Sequence, residues 1–119
     1  HPDLGFILLS NTGNLSREAC LIAKQHHERY NGKGYPDNLK GDEIHYYSRI
    51  SRILDEFEIR MSKITGNDSH SAFDVLQNMV KGMAGSFDKE ILKNFVDFLQ
   101  VSACEESDEL QHKVVELVK

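Results

Sequence analysis

The chain has 119 residues, a formal net charge of −5 at pH 7, 39% hydrophobic and 28% charged residues. This length supports at most one domain with a modest core. The negative charge argues against nonspecific binding to a nucleic acid polymer, which requires a basic surface. No apolar stretch approaches the roughly 20 residues that span a bilayer, so we expect no membrane insertion. Two cysteines in no metal motif indicate a reducing compartment, and we expect a cytoplasmic protein.

Helical periodicity dominates the sequence, and no segment has a convincing strand pattern. The predicted helices cover approximately residues 2–10, 17–29, 44–64, 72–84, 89–99 and 105–118. Ser16 is the predicted cap of the second helix, and Asp88 is the predicted cap of the fifth. The loop at 30–43 is rich in turn-forming residues, and a loop this long inside a compact domain is usually functional or disordered. The predicted class is all-α.

The second predicted helix ends in two adjacent histidines. His26 continues the apolar face, His27 follows on the neighbouring edge, and Glu28 points outward with Lys24. Imidazole is the commonest protein ligand for transition metals. Neighbouring side chains on a helix diverge by about 100°, so these rings would favour different ligand positions or different metals.

A glycine-rich turn follows the histidines. Gly32 and Gly34 permit positive φ and close approach of the backbone, and Pro36 stiffens the exit from the turn. Tyr35 offers a stacking face and a hydroxyl group. Lys40 is a plausible phosphate contact by charge, although an exposed, solvated lysine is the ordinary alternative.

Four groups have the chemistry of metal ligands: His1, His26, His27 and Asp55. A hydrolytic metal site needs neutral imidazoles and at least one carboxylate that offsets the cation charge. Spacing alone is weak support for a metal site, and it favours two ordinary roles. The paired histidines can be hydrogen-bonded residues that end a helix, and Asp55 beside Arg49 can belong to a solvated charged face.

Several motifs resemble the HD-GYP family, metal-dependent phosphodiesterases that hydrolyse cyclic di-GMP. In chain order, the matching pieces are His1-Pro2 with Gly5 and Leu9, His26-His27-Glu28-Arg29 with Gly32, Gly34-Tyr35-Pro36 with residues 39–44, Ser48-Arg49-Ile50 with Asp55, and Ser71, Gly85 and Phe87-Asp88. The resemblance extends over residues 1–100. It implies an all-α, HD-type helical bundle, with 1–119 as the C-terminal part of an HD-GYP-like domain and 101–119 as a variable C-terminal helix.

The resemblance also implies a site. His1, His26, His27 and Asp55 would hold two or three divalent transition metals, iron or manganese. Gly34, Tyr35 and Pro36 would border the nucleotide pocket. By their charge, and not by the resemblance, Lys40 and Lys63 are candidate contacts to the substrate phosphates. The substrate would be a cyclic dinucleotide, hydrolysed to the linear dinucleotide or GMP, and no residue is assigned as the proton donor. We also expect an upstream regulatory domain, because the chain opens with His1-Pro2, and pairing into a homodimer.

Three departures from the family pattern keep other functions open. The upstream His-Asp pair of the family is not in this sequence, and Glu58 replaces a second aspartate. The arginine-rich segment Arg-Pro-Tyr-Arg is here 64–67, Ile-Thr-Gly-Asn, which lacks the bidentate phosphate recognition of arginine. Lys63 would substitute only as a point charge. The alternatives are a catalytically degenerate sensor or scaffold, and an HD-type hydrolase of another phosphate ester.

Overall fold

A computed structural model describes residues 2–64, 72–83 and 85–102 of the chain. The helices in these ranges are α1 (Pro2–Asn11), α2 (Arg17–Gln25), a short 3₁₀ helix (Gly41–Glu43), α3 (Tyr46–Ser62), α4 (Ala72–Gly82) and α5 (Lys89–Ser102). Within the same ranges, strand-like pairing is limited to an isolated antiparallel bridge between Asn31 and Lys40. The all-α prediction is confirmed. The predicted helix at 105–118 lies outside the described residues.

Helix α2 begins where the sequence predicts and ends four residues earlier. The Ser16 hydroxyl accepts a hydrogen bond from the Ala19 N–H at 3.2 Å, which satisfies a free donor in the first turn. The helix ends at Gln25, with His26 as its C-cap and the His26 N–H bonded to Ile22 O. The expectation that it runs to about Arg29 was wrong, because the backbone beyond His26 turns into the following loop.

The described chain divides into two compact units. Of the described residues, the first comprises 2–54 and Gly85–Asp88, and the second comprises 55–64, 72–83 and 89–102. Buried apolar residues of the first unit are Cys20, Ile44, Ile53 and Phe87; those of the second are Phe73, Val75, Leu76, Met79, Ile91, Leu92 and Val96. Burial of these side chains supplies the main stabilising term in each unit.

Polar side chains in the first unit connect α2 to the start of α3. The buried Gln25 side chain accepts a hydrogen bond from the His45 N–H at 2.8 Å. The buried Ser48 hydroxyl donates to Leu21 O at 3.3 Å. These bonds satisfy buried polar groups, which would otherwise destabilise the fold. They hold the end of α2, and therefore the histidines, against a neighbouring element.

Some large apolar side chains of α3 and α1 lie at the surface. Tyr47 and Leu54 of α3 are 51% and 46% exposed, because Ser48 and Ile53 occupy the buried face of that helix. In α1, three aliphatic side chains are each more than half exposed: Leu4, Ile7 and Leu8. Such a face suits the expected homodimer, which stays a prediction. None of the helices in the described ranges has the length and apolar character needed to cross a bilayer.

Candidate functional site

The rings of His26 and His27 lie side by side at the end of α2. Their centroids are 4.0 Å apart and their planes are inclined by 43°. The rings are therefore close neighbours at the point where α2 ends, and their assignment to different ligand positions or different metals stays a prediction. Both side chains are partly buried. The sequence located the two imidazoles, and the helix end brings their rings together.

Hydrogen bonding at His26 determines which of its ring nitrogens is free to coordinate a ligand. Its Nδ1 lies 3.0 Å from both Ile22 O and Ala23 O. Carbonyl oxygens accept only, so Nδ1 carries the proton and Nε2 keeps its lone pair in the neutral ring. A backbone carbonyl in this position is a common partner of a metal-binding histidine. The same bonds also describe a histidine that simply ends a helix, so this geometry fits both interpretations.

Glu28 is buried beside the histidine pair, contrary to the prediction from the sequence. It was expected to point outward, but its side chain is only 1% exposed. One carboxylate oxygen accepts the Asp37 N–H at 2.7 Å and the other accepts the Leu39 N–H at 3.0 Å. Once the helix has ended, helical periodicity does not determine the direction of Glu28. The signal for its role was its position beside the histidines and before a long turn-rich loop.

The loop at 30–43 has a defined structure. The bridge between Asn31 and Lys40 closes its base, and the Gly41 N–H donates to Tyr30 O at 3.0 Å. Gly32 has φ of 82°, in the left-handed region that the sequence predicted for it. Asn38 also has positive φ, and its side-chain amide donates to Gly34 O. The loop is therefore held by backbone and side-chain hydrogen bonds along its length.

Gly34 is required for close packing, as predicted. It is buried, and a Cβ built on it would lie 2.5 Å from His27 O and 2.6 Å from Glu28 Cα, and it would also overlap Arg29 N. These neighbours are backbone atoms, which cannot move aside as a flexible side chain can. The absence of a side chain at Gly34 lets the loop lie directly on the residues that follow α2.

Tyr35 stacks on His27. The two ring centroids are 4.8 Å apart with an interplanar angle of 15°, and the Tyr35 N–H donates to His27 O at 3.4 Å. Tyr35 nevertheless remains 54% exposed. The peptide bond between Tyr35 and Pro36 is cis. One face of the tyrosine ring therefore contacts a histidine of the candidate site, while much of the residue is accessible to a ligand.

Arg49 is part of the interior of the first unit. One interpretation of the sequence placed it on a solvated charged face, but its side chain is 15% exposed and pairs at 2.7 Å with the Asp88 carboxylate, which is 11% exposed. Its Nε donates to Ile44 O at 3.1 Å. Arg49 thus joins the end of the loop to the turn before α5, a contact between residues too distant in sequence for periodicity to detect.

The proposed metal ligands divide among three places. His26 and His27 belong to the first unit, Asp55 is a partly buried residue of the second, and His1 lies outside the described residues. Among the residues that the structure describes, no group of three histidine, cysteine, aspartate or glutamate side chains is arranged to hold a metal ion. The four-residue ligand set stays a prediction.

The proposed substrate contacts are divided between the two units. Gly34, Tyr35, Pro36 and Lys40 belong to the loop of the first unit, and the Lys40 side chain is exposed. Lys63 belongs to the second unit, where it lines a cavity of about 310 Å³. The other residues lining this cavity are Glu56, Arg60, Ile64, Asp74, Val75 and Asn78. Its two acidic and two basic side chains balance in formal charge.

Comparisons with known proteins identify the family. The chain is 44% identical over 63 residues to the cyclic di-GMP phosphodiesterase response regulator RpfG of Xanthomonas campestris pv. campestris, covering 52% of this chain and 17% of that protein. It is 30% identical over 122 positions to a probable cyclic di-GMP phosphodiesterase of Vibrio cholerae, covering 90% and 27%. A 3'3'-cGAMP-specific phosphodiesterase 2 of Vibrio cholerae is 27% identical over 108 residues, covering 87% and 21%.

The aligned part of the chain covers between 17% and 27% of the length of these three relatives. No solved structure matches it. The family model of the HD domain matches residues 1–91, which include both histidines of the pair, the glycine-rich loop and Asp55. The chain belongs to the HD domain family.

Proposed function

We propose that this chain is part of an HD-GYP-type, metal-dependent phosphodiesterase that hydrolyses cyclic di-GMP. The observation that carries this proposal is the packing of Tyr35, from the Gly34-Tyr35-Pro36 turn, against the histidine pair. The ring centroids of Tyr35 and His27 are 4.8 Å apart, and those of His26 and His27 are 4.0 Å apart. The relatives named as cyclic di-GMP phosphodiesterases support the substrate class.

The ring nitrogens of His26 and His27 are donors of the kind that bind divalent transition metals. The backbone carbonyls at Nδ1 of His26 favour the tautomer whose Nε2 can coordinate, and His27 lies beside it. With His1 and Asp55 these imidazoles would hold two or three iron or manganese ions. When bound, such ions acidify an attacking water and polarise a phosphoryl oxygen. In this proposal the imidazoles would hold the cations, and the carboxylate of Asp55 would offset their charge.

The loop would bind the dinucleotide. Tyr35 has an exposed surface for contact with a base or ribose, and the exposed Lys40 supplies a cation for a phosphate. Lys63 is proposed as a further phosphate contact, acting as a point charge. Water would then cleave a 3′,5′-phosphodiester of the bound ring, which gives the linear dinucleotide after one cleavage and GMP after both.

The closely related substrate 3'3'-cGAMP is a second candidate. One relative carries the name of a 3'3'-cGAMP-specific phosphodiesterase and aligns with 87% of this chain. Both compounds are cyclic dinucleotides with two phosphodiesters, so phosphate and metal contacts alone do not distinguish them. Discrimination must come from contacts to the bases.

The test combines metal analysis with turnover. The full-length protein is purified without chelator, its metal content is measured, and cyclic di-GMP and 3'3'-cGAMP are supplied separately with Mn²⁺ or anaerobic Fe²⁺. We expect bound metal and the linear dinucleotide or GMP from cyclic di-GMP. Bound metal without turnover of either compound would favour a hydrolase of another phosphate ester. Neither metal nor turnover would favour the sensor or scaffold.

A further inference from the structure

The carboxylate of Glu28 lies between the candidate metal-binding residues and the loop proposed to bind substrate. It follows His27 directly in the chain, and its side chain is 1% exposed. Both oxygens are occupied by backbone donors, the N–H groups of Asp37 and Leu39. A carboxylate so enclosed is inaccessible to substrate, so any effect on the reaction must pass through the residues that it holds.

The residues that Glu28 holds flank the strained part of the loop. Asp37 and Leu39 lie on either side of Asn38, whose φ is 56°. Charge-assisted hydrogen bonds from two N–H groups to one carboxylate are stronger than neutral ones and fix the orientation of both peptide groups. The Asn38 side chain in turn donates to Gly34 O. Glu28 and Asn38 together fix the loop from Gly34 to Leu39.

The fixed loop determines where Tyr35 lies. Gly34 lies against the backbone of His27, Glu28 and Arg29, and Tyr35 stacks on the His27 ring. We infer that Glu28 is a positioning residue, which holds the turn through the Asp37 and Leu39 amides and thereby sets Tyr35 against His27 for binding of the cyclic dinucleotide. This inference rests on the proposed function for the substrate and on the structure for the loop.

The test is Glu28→Gln, which preserves the size of the side chain. Glutamine has one acceptor oxygen and an NH₂ group that would face a second N–H donor, so one of the two loop bonds is lost. We expect KM for cyclic di-GMP to rise about tenfold, because misplacement of a binding loop weakens substrate contacts. We expect kcat to change less than about threefold and the bound metal per chain to stay constant, because Glu28 touches neither reactant nor metal.

The matched control is Glu43→Gln. Glu43 is an exposed acid at the end of the same loop, and it accepts one N–H, that of Lys40, at 3.0 Å. Glutamine can still accept that single bond, so we expect wild-type KM and kcat. Equal increases in KM for both variants would overturn the inference, because a general effect of charge on the loop would then explain the result.

Amide hydrogen exchange separates this inference from the proposed function. In Glu28→Gln, exchange at Asp37 and Leu39 should become faster while the amides of α5 keep their wild-type rates. If the wild-type protein hydrolyses no cyclic dinucleotide, the proposed function fails, but the exchange result still tests the role of Glu28 in the loop. Unchanged exchange at both amides would overturn the inference. So would loss of metal with unchanged KM, which would place Glu28 in the metal centre.

A second variant covers the case in which Glu28→Gln does not fold. Tyr35→Ala changes a residue that is 54% exposed, so the fold should persist. This variant should raise KM by a similar factor with kcat and metal content maintained. If KM in Tyr35→Ala equals the wild-type value, the position of Tyr35 has no role in binding, and the inference is wrong.

Discussion

The phenol ring of Tyr35 lies almost parallel to the imidazole of His27, with centroids 4.8 Å and planes 15° apart. Aromatic rings in such a stacked contact restrict each other's rotation. The tyrosine comes from a loop eight residues further along the chain, so the contact depends on the path of that loop. The folded loop therefore places the accessible part of Tyr35 beside the histidine pair.

Replacement of His27 tests the assignment of the metal ligands. His27→Ala removes an imidazole from the proposed coordination sphere, and we expect loss of most bound metal and of cyclic di-GMP hydrolysis. Metal analysis and a turnover assay measure the two effects. His45→Gln is the control, because His45 lies outside the proposed ligand set and should keep both properties. Unchanged turnover in His27→Ala would remove this residue from the site.

Gly34→Ala should destabilise the protein. The added Cβ would overlap backbone atoms of three residues, and overpacking of this kind costs typically about 1–3 kcal/mol. Gly82→Ala is the matched control, since a Cβ there meets nothing within 4 Å and Gly82 ends helix α4. Alanine favours a helix, so we expect unchanged or slightly increased stability. Urea unfolding measures both, and equal stabilities of the two variants would contradict the packing at Gly34.

The ion pair between Arg49 and Asp88 should contribute to stability more than an exposed pair does. Arg49→Ala leaves the mostly buried Asp88 carboxylate without this partner, and we expect a loss of about 2–3 kcal/mol. The comparison is Lys24→Ala, which breaks the 3.3 Å pair with Asp37, whose side chain is 46% exposed. An exposed pair contributes about 0–1 kcal/mol. Similar losses for both variants in urea unfolding would show that the burial of Arg49 has no energetic consequence.

The stability that the first turn of α2 contributes should depend on pH through the carboxyl group of Glu18. Hydrogen bonds from its own backbone N–H and from the Ser16 hydroxyl lower the pKa of this exposed carboxyl below its usual 4.5. A lowered pKa in the folded state means that the charged carboxylate stabilises the fold above about pH 4.5 and that this contribution is lost as pH falls through the folded-state value. Glu18→Gln should therefore be less stable than wild type at pH 7.

The difference between Glu18→Gln and wild type should shrink as the pH is lowered from about 5 to about 3. Ser16→Ala removes both the N-cap of α2 and the hydroxyl that bonds to Glu18. We expect it to lower the free energy of unfolding by about 1 kcal/mol at neutral pH. Thermal unfolding across this pH range measures both variants. A difference for Glu18→Gln that grows toward acid pH would contradict the direction of the pKa shift.

The sequence was informative wherever a local rule applies. Ser16 caps α2 because a hydroxyl before the first turn satisfies a helix donor, and Gly32 adopts positive φ because it has no Cβ. Gly34 packs against the backbone as its position in the turn predicted. The paired histidines and the turn also carried the family resemblance, which the HD domain match at residues 1–91 confirms.

Local rules failed at residues whose environment comes from distant segments. Glu28 was assigned to the surface by extending the α2 periodicity, yet the helix ends at Gln25 and the carboxylate turns inward to bind Asp37 and Leu39. Helical periodicity allowed Arg49 a place on a solvated face, yet it pairs with Asp88, 39 residues away. In both cases the partner that decides the burial of the charge belongs to another part of the chain.

By itself, the sequence determined the all-α class, the cap of α2, the glycines of the turn and the presence of two adjacent imidazoles, because each depends on spacing or on the conformational freedom of single residues. Only the tertiary structure decided that the two rings lie side by side, that Tyr35 covers His27 and that Glu28 is buried. Those arrangements depend on where a helix stops and on which backbone donors the folded loop presents to a charge. Such pairings arise only when the loop folds back onto the end of α2.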